Sequence, residues 1–252
     1  MSIAALQQMK DRGEKIAVLT CYDYPTARLL DDAGLDLLLV GDSVGMVVLG
    51  YPDTTFVTMD EMLHHTRAVA RGATRTPILA DLPIASFDIP ESALANASRL
   101  IDAGASAVKL EGGASHAAQI AALTAAGIPV MAHIGMQPQR VRIEGGYRVK
   151  GKTPEDAVRL LADADAAEHA GAFGLLLELV KADVAAEISR SVRIPTIGIG
   201  AGPDCDGQVL VTHDLIGMFP WFTPRFVTPL ASVAAEITRA ATTFVATTKQ
   251  SR

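Results

Sequence analysis

The chain has 252 residues, 49% hydrophobic and 20% charged, which suits one large domain with a sizeable core and argues against disorder. A net charge of −6 with no basic tract speaks against nucleic acid and anionic membranes as partners. Two cysteines, Cys21 and Cys205, are too few for a disulfide framework and suit free thiols in a reducing cytoplasm, and no apolar run approaches the ~20 residues of a membrane helix.

The first fifteen residues, "MSIAALQQMKDRGEK", read as a short helix whose apolar core is too short for a signal peptide. After it, short runs rich in Val, Ile and Leu recur: "IAVLTCYD", "LDLLLVGD", "PILADLP", "SAVKLEG", "IPVMAHIG", "FGLLLELV", "IPTIGIGAG" and "HDLIGMF". Most are apolar at consecutive positions, the mark of parallel strands covered on both faces. Helical patterns lie between them. "YPTARLLDDAG" places Pro25 in a first turn, "DIPESALANASRLIDAG" does the same with Pro90, and "TPEDAVRLLADADAAEHAG" adds Thr153 as N-cap before Pro154. Four helices are expected to stop on one dipeptide, at Ala33-Gly34, Ala103-Gly104, Ala126-Gly127 and Ala170-Gly171, where glycine closes a helix in the left-handed conformation.

This is a repeated strand–helix unit. Eight units in 252 residues average about 31 residues each, the size of a (β/α)8 TIM barrel. A doubly wound sheet would show a glycine-rich loop after strand one, and "TCYDYP" has none. No linker or second-domain boundary interrupts residues 1–252, so one catalytic barrel domain with a short N-terminal helix is expected. The longest irregular stretch, residues 135–153, is polar and carries Gly145-Gly146 beside Tyr147; a loop of that length in a compact domain is expected to act as a lid.

Barrel active sites sit at the C-terminal ends of the strands. Those ends hold Asp42-Ser43 on strand two, Asp81 on three, Lys109 and Glu111 on four, His133 on five and Glu178 on six. Lys109 and Glu111 are two apart and share a strand face. Three converging carboxylates, Asp42, Asp81 and Glu111, would repel unless a hard divalent cation lay between them, and oxygen-only ligands favour Mg²⁺. Glu178, flanked by leucines, has the desolvated setting that raises a carboxyl pKa toward that of a useful base. Each residue also has a plainer reading. Asp42 or Asp81 could cap a helix, Glu111 could simply pair with Lys109, His133 could be a hydrogen-bonded core histidine, and Glu178 could partner a buried cation. The pair His64-His65 reads as structural.

The segments "VGDSVGM", "ADLP", "VKLEGG", "HIGMQPQ", "GGYRVKG", "IGIGAG" and "DGQVLVTHDLIGM" resemble the ketopantoate hydroxymethyltransferase family, in family order, over about residues 15–228. The resemblance implies a Mg²⁺-dependent TIM barrel, assembled as a homodecamer, that makes 2-dehydropantoate from 3-methyl-2-oxobutanoate and 5,10-methylenetetrahydrofolate. It implies Asp42 and Asp81 as metal ligands that also meet substrate, and Glu111 binding or orienting the same metal. Ser43 and Lys109 would hold the substrate carboxylate, His133 would hydrogen-bond substrate, and Glu178 would accept the proton. The segment after Phe219 departs from the family pattern. A Mg²⁺-dependent carbon–carbon lyase of the isocitrate lyase and phosphoenolpyruvate mutase type is the rival enzyme reading, weakened because neither cysteine lies on the loop after strand five. A non-catalytic binding protein on the same fold is the third.

Overall fold

The computed structural model describes residues 2–250. Helix α1 (Ile3–Asp11) is followed by β1 (Ile16–Thr20), α2 (Tyr24–Ala33), β2 (Leu37–Val40), α3 (Val44–Val47), α4 (Met59–Gly72) and β3 (Ile78–Asp81). Then come α5 (Pro90–Asp102), β4 (Ala107–Glu111), α6 (Ala117–Ala125), β5 (Val130–Gly135), α7 (Val141–Glu144), α8 (Pro154–His169) and β6 (Gly174–Glu178). Helix α9 (Ala182–Ser191), β7 (Thr196–Ile199), β8 (Gly207–Leu210), α10 (Thr212–Leu215) and α11 (Val233–Gln250) complete the chain. The strands form a closed parallel barrel in the order β1 to β8, which excludes the open doubly wound sheet.

The chain resolves into two compact units, Met1–Val209 and Leu210–Arg252. The first contains the barrel. The second holds α10 and α11; inside it, Leu230 N–H donates to the Leu215 carbonyl at 2.7 Å and Val233 N–H to that of Ile216 at 3.0 Å.

Local rules act as the sequence suggests. Asp23 and Thr153 accept from the Thr26 and Asp156 N–H groups and cap α2 and α8. Gly34, Gly104, Gly127 and Gly171 all adopt positive φ, between 79° and 106°, and end their helices without a Cβ clash. His65 Nδ1 lies 2.7 Å from the Tyr22 carbonyl oxygen, in keeping with a structural role for that residue, while His64 beside it is exposed.

The eighth strand differs from the sequence expectation. "HDLIGMF" is not a strand: Thr212–Leu215 is helical, and β8 is the preceding "GQVL". That strand begins with glycine and turns Gln208 outward, where its Nε2 donates to the Gly202 carbonyl at 2.9 Å. It therefore lacks the continuous apolar run that marks the other strands.

The strands alternate even though they read as unbroken apolar runs. Leu38, Val40, Val108, Leu110, Ala132, Leu175 and Leu177 face the helical layer. Leu37, Leu39, Leu79, Ala107, Met131, Leu176 and Ile197 fill the barrel interior together with Leu6 and Met9 of α1. Burying each Leu contributes roughly 1.5–3 kcal/mol. Two residues further along the interior-facing series, Leu79 is succeeded by Asp81, Ala107 by Lys109 and Glu111, Met131 by His133, and Leu176 by Glu178. An apolar plug at one end thus gives way to a layer of ionisable side chains at the C-terminal end.

Candidate active site

Adjacent registers bring these groups together, with Asp81 paired to Lys109 across β3–β4, Glu111 to His133 across β4–β5, and Gly135 to Glu178 across β5–β6. Asp42 lies two residues past the end of β2 and donates its backbone N–H to Asp81 Oδ2 at 3.3 Å. Lys109 Nζ is 2.8 Å from the same Oδ2 and 3.2 Å from His133 Nδ1. An ammonium only donates, so His133 Nδ1 accepts and the ring proton sits on Nε2. That Nε2 is 3.3 Å from Glu178 Oε2, at an angle too poor for a hydrogen bond. Ser43 is half-buried beside α3, its Oγ 2.8 Å from the Tyr22 hydroxyl. All the residues singled out in the sequence therefore lie at the strand ends of one barrel mouth.

Burial dominates the electrostatics. It raises Asp42 and Glu111 above the ordinary carboxylate range, and pushes Asp81 up to about 8 against the pull of Lys109, with the Asp42 charge adding to the rise. Burial works against the Lys109 charge, yet Asp81, Glu111 and Asp42 outweigh it and raise its pKa. His133 is driven well below its usual value by burial and then by Lys109, so it is neutral at pH 7. Burial lifts Glu178 to about 7, offset in part by Lys109. The Glu178 side chain keeps 16% of its exposure, against 0–4% for Asp81, Lys109, Glu111 and His133, so a substrate reaches it most easily.

The backbone around Glu178 is constrained. Leu179 holds φ at +47°, a conformation that costs a non-glycine residue on the order of 1–3 kcal/mol. It is pinned by its N–H to the Ile199 carbonyl at 2.9 Å and by Lys150 N–H to its own carbonyl at 2.8 Å. Gly135 is required alongside: a Cβ there would sit 2.3 Å from the Glu178 carbonyl oxygen.

Two buried oxygens, Asp81 Oδ1 and Glu111 Oε1, have no hydrogen-bond partner. Unpaired carboxylate oxygens in a buried site are costly unless a ligand completes them. Among the described residues no three His, Cys, Asp or Glu side chains converge closely enough to enclose a metal alone. A hard cation here would need water or substrate oxygens as well, which is the habit of Mg²⁺.

The strand-end pattern misses two contributors. Gln139, in the 3₁₀ turn Pro138–Arg140 of the loop after β5, is buried and touches both Asp42 and Glu111. Tyr22, just past β1, is buried against Ser43. A buried glutamine beside Pro138, close after a strand end, is the signal that could have found the first. The irregular stretch is also partly ordered. Arg142 Nε donates to Asp53 Oδ2 at 2.8 Å with its guanidinium 4.3 Å from the Phe56 ring centroid, and the Tyr147 hydroxyl meets Met46 Sδ at 3.6 Å. Cys21 and Cys205 are buried free thiols, away from that loop in sequence; burial pushes Cys21 up to about 12.

A closed parallel barrel with a buried, mutually perturbed acid–base set at its strand C-termini defines an enzyme of the TIM-barrel class. Solved barrels share this architecture. A phosphoenolpyruvate phosphomutase from Streptomyces platensis superposes with a TM-score of 0.67 at 18% identity, covering 100% of this chain and 89% of that one. A phosphonopyruvate hydrolase complexed with oxalate and Mg²⁺ gives 0.65 at 20% identity, over 84% and 81%. At such identity the likeness speaks for the fold alone. The sequence profile described as "Ketopantoate hydroxymethyltransferase" matches residues 1–252. Proteins named 3-methyl-2-oxobutanoate hydroxymethyltransferase are similar along nearly the whole chain. That of Geotalea daltonii is 50% identical (99% of this chain, 94% of the relative), and that of Ignicoccus hospitalis 53% (90% and 86%). The chain belongs to the ketopantoate hydroxymethyltransferase family.

Proposed function

We propose that this enzyme transfers a hydroxymethyl group from 5,10-methylenetetrahydrofolate to C3 of 3-methyl-2-oxobutanoate, giving 2-dehydropantoate and tetrahydrofolate with uptake of one water. The observation that carries the reading is the pairing of a base near pKa 7, Glu178 on β6, with a cationic and carboxylate cluster that begins two strands away on β4, across His133 of β5. Glu178 takes the C3 proton, leaving an enolate whose carbon attacks the one-carbon unit. Lys109 supplies positive charge where the oxo acid becomes more anionic. Neutral His133 is placed to donate from Nε2, and Ser43, held by Tyr22, to bind the substrate carboxylate.

Asp42, Asp81 and Glu111 would hold Mg²⁺, and the unpaired Asp81 Oδ1 and Glu111 Oε1 suit a hard cation. Such an ion supplies Lewis-acid stabilisation of negative charge on substrate oxygens. We further propose that residues 1–252 act as one catalytic domain and that the enzyme assembles as a homodecamer and works in the cytoplasm on small molecules, without nucleic acid or membrane partners. Among the described residues no helix is long and apolar enough to cross a membrane.

The test is product formation from 3-methyl-2-oxobutanoate with 5,10-methylenetetrahydrofolate, with and without EDTA. Turnover that requires both the folate and the metal supports the reading. Turnover without folate would make the protein a lyase, and none under any condition would make it a binding protein.

A further inference from the structure

Asp42, just past β2, and Glu111 of β4 are bridged by one residue from neither strand. Gln139 retains 5% exposure. Its side-chain Nε2 donates to Asp42 Oδ2 at 2.9 Å and to the Leu82 carbonyl at 3.0 Å. Both partners are acceptors, so the amide can face only one way. The backbone N–H of the same residue donates to Glu111 Oε2 at 3.1 Å. One residue therefore occupies one oxygen on each of two carboxylates, and the Glu111 oxygen left over is the buried, unpartnered Oε1.

A terminal carboxylate torsion is broad, so without such a tie the plane of the carboxylate, and the direction its free oxygen faces, would be loosely set. We propose that Gln139 is a positioning residue, fixing the orientation in which Asp42 and Glu111 present their free oxygens toward a bound divalent cation and the oxo acid. The proposal rests on the reading of these carboxylates as the metal holders. Gln139 rides on a loop, and that loop is tied to the turn after α3 by Arg142 and Asp53. Seating the loop and readying the carboxylates are therefore one event.

Mn²⁺ titration of the full chain without substrate, followed by electron paramagnetic resonance, tests this. Gln139→Met and Gln139→Leu keep roughly the side-chain volume but lose the Nε2 donations to Asp42 and the Leu82 carbonyl, leaving the backbone N–H to Glu111 in place. We expect each to weaken Mn²⁺ binding by on the order of 10- to 100-fold, the usual scale for losing a group that orients a ligand. The spectrum of bound Mn²⁺ should change while the metal-free melting temperature stays within a few degrees. In an Asp42→Asn background, where the partner charge is gone, the further loss from Gln139→Met should shrink to a few-fold. Mn²⁺ binding with the parent's affinity by a folded variant would overturn the proposal. So would an undiminished loss in the Asp42→Asn background, or failure of both variants to fold, which would make Gln139 a structural residue. A parent that binds no Mn²⁺ at all would instead overturn the metal reading beneath it.

Discussion

Two buried aspartates in this barrel have opposite fates. Asp31, at the end of α2, accepts from the backbone N–H groups of Thr74, Arg75 and Thr76 at 3.1, 3.1 and 2.8 Å. Burial opposes its charge, yet those donors hold its pKa well below the usual carboxylate range. Asp81, at the end of β3, meets only Lys109 and one backbone N–H, keeps an unpartnered oxygen, and is pushed up to about 8. Both side chains are shielded from solvent, but Asp81 lies deeper and beside the Asp42 charge, so deeper burial, that like charge and its fewer hydrogen bonds together set the two apart. Lys10 repeats the lesson on the N-terminal side of the strands, where its ammonium donates to the Ser189 and Ile194 carbonyls and to Asp206. Asp31 and Lys10 at that end are satisfied and serve stability. At the strand C-termini, Asp81 and Glu111 each keep an unpartnered oxygen, as expected of groups that a ligand would complete.

The largest effect should come from the incomplete end. Asp81→Ala should cut turnover by on the order of 10²- to 10³-fold and abolish the response to added Mg²⁺, with the barrel still folded by circular dichroism. Normal activity with the parent's metal titration would remove Asp81 from the site.

Asp31→Ala should do the reverse. It orphans three backbone donors and should cost about 3 kcal/mol in urea unfolding, while turnover per folded molecule stays near that of the parent. Unchanged stability would erase the contrast between the two ends.

The two ends should also differ in the sign of their pH dependence. The Asp31 pKa is lowered on folding, so its stabilisation is present above its ordinary value near 3.8 and is lost as pH falls toward the folded value. The Glu178 pKa is raised from 4.5 to about 7, so its contribution is full below 4.5 and is lost as pH rises through about 7. In the metal-free protein, Glu178→Gln should flatten the fall in the urea midpoint between pH 5 and 8. Asp31→Ala should flatten only the acid limb.

The smallest effect concerns the loop over the incomplete end. Residues 136–150 should gain several-fold protection from deuterium exchange when Mg²⁺ and the oxo acid bind, while the segment around Asp31 should not change. Equal exchange with and without ligand would mean that the loop is no lid.

Much of this contrast is legible in the sequence. Asp42, Asp81, Lys109, Glu111, His133 and Glu178 announce themselves because each interrupts an apolar run at its C-terminal end. The four Ala-Gly stops announce the helix boundaries because glycine alone takes that conformation cheaply. β8 stays hidden: "GQVL" carries an outward glutamine and little apolar length, while Leu215, Ile216 and Phe219 of the following segment mimic a strand. Gln139 is hidden for a different reason. Its role depends on a loop folding back across two strands, and no local period encodes that. The partners of Asp31 lie more than forty residues away and are equally silent.

In the proposed reaction the strand-end cluster removes the C3 proton of 3-methyl-2-oxobutanoate with Glu178 as base. The direct measurement is exchange of that proton for deuterium in D₂O, followed by NMR without folate, for the parent and for Glu178→Gln, each with and without EDTA. The parent should exchange the proton in a metal-dependent manner, and Glu178→Gln should fall by on the order of 10²-fold or more while its Mg²⁺ affinity stays within a few-fold. Exchange at the parent rate in Glu178→Gln, or no exchange by the metal-loaded parent, would contradict it.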